Sequence, residues 1–250
     1  MQLRFEFPDA KDWRYLMESL NVIIDEACFI ADNEALRLRA LDPSRIAMVD
    51  LYIPREAFYS YDMGEEQVKI GVNFDDLNKI LKRAKSDDKV VFEVEGGRLK
   101  ITLIGKAERT FSLPLIDIVG EELPTPKVTF DVTAKMLSDT LRDALKDAEM
   151  ISDTARFVGE EGVFKILAKS DKGELEVKFS LEAGSLIEYE VKQPSSASYS
   201  LNYLDDIVSK AYRISDLATV EFSSNKPLSL TFDIAGGGIL RYFLAPRMEA

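Results

Sequence analysis

The chain has 250 residues, of which 46% are hydrophobic and 30% charged, enough for one large core or two of roughly half that size. With 44 Asp and Glu against 32 Lys and Arg the formal net charge is −12, and the absence of histidine together with a single cysteine, Cys28, excludes His-dependent nucleophile pairs, an internal disulfide and Cys-based metal clusters. No apolar run approaches the roughly 18 residues of a membrane helix, and the start "MQLRFEFPDA" carries charges where a signal peptide needs an apolar core, so a soluble cytoplasmic protein is expected, nuclear if eukaryotic.

The first helical pattern follows Pro8-Asp9 and places Trp13, Leu16, Met17, Leu20, Ile23, Ile24 and Ala27 on one stripe, with Lys11 and Arg14 opposite and Glu18 and Asp25 beside them. Period-2 strands then follow at 35–41 ("ALRLRAL") and 46–53 ("IAMVDLYI"). Cys28 reads as a small buried hydrophobe. The stretch "FDDLNKILKRAKSDD" (74–88) has a helical period again, gathering Leu77, Ile80, Leu81 and Ala84 on one face. Lys79, Lys82 and Arg83 fall opposite, with Lys85 at the flank. Such a basic stripe on an acidic protein is either a solvated helix face or a phosphate-facing surface.

Strands at 89–95 and 98–104, joined by "EGG", precede "AERTFSL" (107–113). "PLIDIVGEELPTPK" (114–127), with three prolines and a glycine, reads as a linker. A third helical pattern near 133–148 aligns Leu137, Leu141, Ala144, Leu145 and Ala148, with Lys135, Arg142 and Lys146 outside beside Asp139. Strands at 162–168 and 174–181 follow, separated by "SDKG". The fourth helix, near 201–212, aligns Leu204, Ile207, Val208 and Ala211, with Lys210 and Arg213 outside beside Asp206. A last strand pair, 227–234 and the segment ending "YFLAP", flanks the glycine turn "AGGG".

These elements repeat. A slide of 127 residues lays Leu77, Ile80, Leu81 and Ala84 on Leu204, Ile207, Val208 and Ala211; one of 124 lays Trp13, Met17 and Leu20 on Leu137, Leu141 and Ala144. No GxxxxGK or GxGxxG phosphate loop occurs. Asp75/Asp76, Asp87/Asp88, Glu121/Glu122 and Asp205/Asp206 read as caps or solvated loop residues. No catalytic residue, metal or cofactor is expected, and a carboxylate-dependent nuclease or hydrolase is the weaker alternative.

"ALDPSRIAMVDLYIP" (40–54), "GVNFDDLNKILKRAK" (71–85), "SLNYLDDIVSKA" (200–211) and "LRYFLAPRMEA" (240–250) resemble the proliferating cell nuclear antigen family of DNA sliding clamps, in its archaeal form. The resemblance runs along the whole chain. It implies an α+β fold of two similar domains, 1–113 and 128–250, joined by a connector loop at 114–127. Each domain has antiparallel sheets and two helices, and three chains close into a ring around duplex DNA, bound without regard to sequence. Arg14, Lys79, Lys82, Arg83, Arg142 and Lys210 match the family's DNA-facing positions; Lys11, Lys85, Lys146 and Arg213 join them on charge pattern. Asn21 and Asp139 stand where some relatives carry a basic residue.

The same resemblance assigns subunit joining to the strands carrying Arg109 and Phe111, and Leu175, Val177 and Phe179. Internal strands are the ordinary reading of such segments. A pocket for a partner's helical turn and aromatic anchors falls to Leu41, Met48, Leu123, Pro124, Pro227, Phe243, Ala245 and Pro246, with Tyr242 and Leu244 pointing the other way. Implied partners are DNA polymerase, clamp loader, flap endonuclease, DNA ligase and further clamp subunits, identical or paralogous. A checkpoint-type relative or one member of a mixed ring is the alternative.

Overall fold

The computed structural model describes residues 1–119 and 123–248. Glu121/Glu122, the middle of the expected connector and the last two residues of the "LRYFLAPRMEA" motif lie outside the described residues. The chain divides into two compact units, one built from 1–43, 49–123 and 234–240, the other from 44–48, 124–233 and 241–250.

In the first unit the chain runs β1 (Leu3–Phe7), α1 (Ala10–Asn21), β2 (Glu26–Asp32), β3 (Ala35–Leu41), β4 (Ala47–Pro54), a 3-10 turn at Arg55–Ala57, and β5 (Ser60–Met63). It continues with β6 (Gln67–Asn73), α2 (Phe74–Leu81), β7 (Lys89–Glu95), β8 (Arg98–Ile104) and β9 (Glu108–Pro114). One sheet has the order β5-β1-β7-β8-β9, and a second group of strands the order β4-β3-β2-β6. The β7–β8 hairpin is closed by Gly96 and Gly97, with φ of 58° and 73°, the mirror-turn geometry that matches strand twist and that glycine adopts without a Cβ clash. Inside lie Phe5, Phe7, Trp13, Phe58, Tyr61 and Phe92, ring against ring at 4.9–6.3 Å.

The second unit repeats the plan: β10 (Val132–Leu137), α3 (Ser138–Glu149), β11 (Thr154–Glu160), β12 (Val163–Ser170), β13 (Gly173–Phe179), β14 (Glu188–Val191), β15 (Ser195–Ser200), α4 (Leu201–Ala211), β16 (Leu217–Phe222), β17 (Leu228–Ile234) and β18 (Gly238–Leu244). Its strands order as β14-β10-β16-β17-β18 and β13-β12-β11-β15. Position by position this is the arrangement of the first unit. The core here is Phe157, Phe164, Phe179, Tyr199 and Phe222.

Four expectations are corrected. α1 stops at Asn21: its last turn closes when the amides of Ile23 and Ile24 both donate to the Leu20 carbonyl at 3.3 Å, and Ala27 belongs to β2, paired with Val72. Residues 132–137 form a strand rather than the start of the third helix, and Leu137 is 47% exposed. Lys135 therefore sits on β10, 3.5 Å from Glu188. The repeat offset between α1 and α3 is accordingly 128 residues, from Ala10 to Ser138, and it carries the buried Trp13, Leu16, Met17 and Leu20 onto Leu141, Ala144, Leu145 and Ala148. Thirdly, α2 ends at Leu81, so Ala84 lies beyond the helix; α2 buries Phe74, Leu77, Asn78 and Leu81, and Ile80 is half-buried. Cys28 is also only half-buried; its thiol donates to the Phe29 carbonyl at 3.4 Å, and burial pushes its pKa up.

Candidate nucleic-acid and partner surfaces

Each unit pairs its two helices, α1 with α2 and α3 with α4. Asp9 caps α1 by accepting from the amides of Lys11 and Asp12 at 2.8 and 3.2 Å, and Asn73 caps α2 through the amide of Asp76. Asn78 donates from α2 to the Met17 carbonyl of α1 at 3.4 Å, and Asn21 donates to Asp75 at 2.9 Å. Asn21 is thus spent on joining the two helices.

On the first unit Lys11 is half-buried, and Arg14 is held 2.8 Å from Glu18, one helical turn away. Lys79 lies 3.1 Å from Asp76. Lys82 and Arg83 stand in the turn after α2, not on the helix, and Lys85 follows. Among the described residues the charged groups of Lys82, Arg83 and Lys85 form no ion pair, and all three are exposed. Positive charge just past a helix C-terminus also meets the negative end of the macrodipole.

That turn is anchored from a distance. Arg109 of β9 donates one guanidinium nitrogen to the Arg83 carbonyl at 2.9 Å and another to Asp88, which is 3% exposed. Asp88 accepts from the Lys85 amide at 2.8 Å as well, and its own carbonyl accepts from Ala10 at 2.9 Å. A residue expected at a subunit junction therefore also positions Arg83.

The second unit is more mixed. Arg142 pairs with Asp143 at 2.9 Å and lies over the Tyr212 ring at 4.2 Å, with Arg213 on the same ring at 5.9 Å. Hydrogen bonding to Arg213, then the charge of Arg142, hold the Tyr212 phenol below its ordinary pKa. Lys146 is exposed and Lys210 half-buried, and neither forms an ion pair among the described residues. Beside them Glu149 and Asp206 have raised pKa values, through burial first and then the neighbouring Asp205 charge. Asp139 is exposed at the start of α3.

β9 and β13 are the last strands of their sheets, each seven residues long with one backbone edge unpaired within the described chain. On β9, Arg109 and Phe111 are half-buried between exposed Glu108, Thr110 and Ser112. Leu175 and Val177 alternate on β13 with exposed Glu174, Glu176 and Lys178. Phe179 departs from this pattern: it is 3% exposed and stacks on Phe164 at 5.4 Å, so it serves the core of its own unit.

Of the residues expected at a partner pocket, those in the second unit are Met48 and Phe243, both 8% exposed, half-buried Pro227, Ala245 and Pro246, and exposed Pro124. The Ala245 amide donates to the Ile46 carbonyl at 2.9 Å, which lays the segment after β18 beside residues 44–48. Ile46, which accepts that bond, is 40% exposed and was not singled out by the sequence. Tyr242 and Leu244 are each 1% exposed. Beyond β18, Arg247 pairs with Asp153 at 3.1 Å and bonds the Ser198 carbonyl through its amide at 2.7 Å. In the first unit Leu41 and Leu123 are half-buried.

Comparison with known proteins gives a consistent picture. Residues 3–118 match the family model "Proliferating cell nuclear antigen, N-terminal domain", and residues 125–247 match its C-terminal counterpart. The chain is 59% identical to a DNA polymerase sliding clamp of Thermofilum pendens, covering 99% of this chain and 100% of the relative. It is 42% identical to DNA polymerase sliding clamp 3 of Aeropyrum pernix, covering 98% of each. Among solved structures, PCNA from Thermococcus kodakaraensis superimposes with a TM-score of 0.94 at 28% identity. A PCNA2–PCNA3 complex from Sulfolobus tokodaii gives 0.91 at 31%; each match covers 98% of this chain and all of the other.

Proposed function

Because the chain belongs to the proliferating cell nuclear antigen family, we propose that it is a DNA polymerase sliding clamp. It is a non-catalytic ring that encircles duplex DNA and tethers the enzymes working on it. The observation that carries this reading is the pair of seven-residue edge strands, β9 and β13, each with one backbone edge unpaired among the described residues. Pairing β9 of one copy with β13 of the next satisfies both backbone edges and covers Phe111, Leu175 and Val177. Repeated head to tail, the contact closes a ring of three.

In that ring Lys11, Arg14, Lys79, Lys82, Arg83, Lys85, Arg142, Lys146, Lys210 and Arg213 face the DNA. Enclosure retains the duplex, so weak, screened phosphate contacts suffice. Acidic neighbours such as Glu18, Asp76 and Asp143 moderate the attraction, which suits sliding. Residues 1–113 and 128–250 act as the two clamp domains and 114–127 as the connector. Leu41, Met48, Leu123, Pro124, Pro227, Phe243, Ala245 and Pro246 receive a partner peptide with a helical turn and aromatic anchors. Its sources are DNA polymerase, clamp loader, flap endonuclease and DNA ligase, acting at the nucleoid.

Native mass spectrometry tests the assembly: three chains of 28.2 kDa give a complex near 85 kDa. A mixed ring is the second reading, favoured by relatives that carry numbered names and by the PCNA2–PCNA3 complex. It predicts a trimer only when paralogues are added. A chain that forms no ring alone or with paralogues contradicts the clamp reading.

A further inference from the structure

The proposed partner site uses Leu123, and the inference below rests on that reading; it concerns what holds Leu123 in place. Beyond β9, the Leu115 amide donates to the Gly97 carbonyl at 3.0 Å and the Ile116 amide to the Gly71 carbonyl at 2.9 Å. Gly71 is buried in β6. A Cβ added there would stand 2.0 Å from the Ile116 carbonyl oxygen and 3.4 Å from Ile118 Cγ1. Only a residue without a side chain lets the segment lie so close to the strand.

A second anchor lies at Leu123, whose carbonyl accepts from Arg39 Nη1 at 3.0 Å. Arg39, on β3, is itself gripped by Asp50 of β4: Nε to Oδ1 and Nη2 to Oδ2, both at 3.1 Å. Each of these side chains is 26% exposed, so the pair is largely withdrawn from water. Two parallel bonds to one carboxylate fix the guanidinium plane, and with it the direction in which Nη1 points. The geometry is specific to arginine, because an ammonium cannot serve a carboxylate with two parallel bonds and a carbonyl with a third in one plane.

We propose that Arg39 is a positioning residue for partner binding. Oriented by Asp50, it pre-sets Leu123, while Gly71 secures residues 115–118, so a partner meets an ordered surface and does not bear the entropy of fixing it.

The test compares Arg39→Gln, Arg39→Lys, Gly71→Ala and Phe243→Ala with wild type in the intact assembly, measuring mass, melting temperature, amide exchange and peptide binding. The probe is a synthetic peptide with one helical turn and two adjacent aromatic residues, titrated by calorimetry. Arg39→Gln should speed exchange at the Leu123 and Thr125 amides, and Gly71→Ala at Ile116. Either should weaken the peptide about tenfold, the cost of ordering about one residue on binding. Arg39→Lys should fail to restore affinity. A purely structural role would lower the melting temperature and leave the affinity of the folded assembly unchanged, which overturns the proposal. Wild-type exchange or affinity in Arg39→Gln, or rescue by Arg39→Lys, overturns it too. If Phe243→Ala loses the peptide and Arg39→Gln does not, this inference falls alone; if neither loses it, the pocket reading falls as well.

Discussion

Replacing Asp88 with Ala removes one carboxylate that serves two donors at once: the Lys85 amide at 2.8 Å and the Arg109 guanidinium. Asp88 is 3% exposed and the Arg109 side chain 27%, so the substitution strands a mostly buried cation together with an unpaired N–H. Breaking a buried ion pair by deleting one partner costs about 3–5 kcal/mol, and the partial exposure of Arg109 argues for the lower end. For a chain of this size about 3 kcal/mol corresponds to roughly 6–12 °C in melting temperature. Asp88→Asn keeps one acceptor and should lose less. Scanning calorimetry at fixed pH and protein concentration reads the difference, because an assembling protein melts in a concentration-dependent way. Amide exchange should also quicken at Lys85, whose amide loses its acceptor. A melting temperature for Asp88→Ala within about 1 °C of wild type would refute the reasoning.

Reversing Lys82 and Arg83 to Glu should leave the assembly mass unchanged and lower polymerase processivity on loaded DNA; unchanged processivity removes both residues from the channel. Phe243→Ala should weaken the aromatic peptide about thirtyfold, as loss of a central anchor does, with Tyr59→Ala, at a 71% exposed side chain, as the surface control. Tyr242 is unsuitable as that control, because it is buried against Phe232 at 6.4 Å. The Tyr61 hydroxyl donates to the Ala35 carbonyl at 3.0 Å, and burial pushes its pKa from 10.0 up to about 12. The fold favours the neutral phenol, so this stabilisation is complete below pH 10 and is lost as pH rises towards 12. Tyr61→Phe should cost about 1 kcal/mol at neutral pH and flatten the alkaline decline; an unchanged alkaline slope in thermal melts contradicts it.

Hairpins were the most legible part of the fold, because alternation and a two-residue glycine turn are both local: 89–95 and 98–104 are strands from end to end. Helix ends were less so. Ile23, Ile24 and Ala27 continue the helical spacing of α1 yet are buried by a turn and a strand, and burial at i+3 and i+4 does not say which element provides it. The same ambiguity hid β10, whose Leu137 falls on the helical period. Basic stripes opposite apolar ones were readable from the chain. Partners brought in by tertiary folding were not: Asp88 with Arg109, Arg39 with Asp50 and Arg142 with Tyr212 are 11 to 70 residues apart. The space required at Gly71 likewise depends on Ile116, far along the chain.

Enclosure of DNA is tested most directly on a nicked circular plasmid. Labelled protein is loaded with its cognate clamp loader, the complex is isolated in high salt, and the plasmid is then cut once. A sliding ring should survive salt on the circle, where phosphate contacts are screened away, and leave promptly once the DNA has ends. Protein that washes off the closed circle in salt, or stays on the linear molecule, would contradict enclosure.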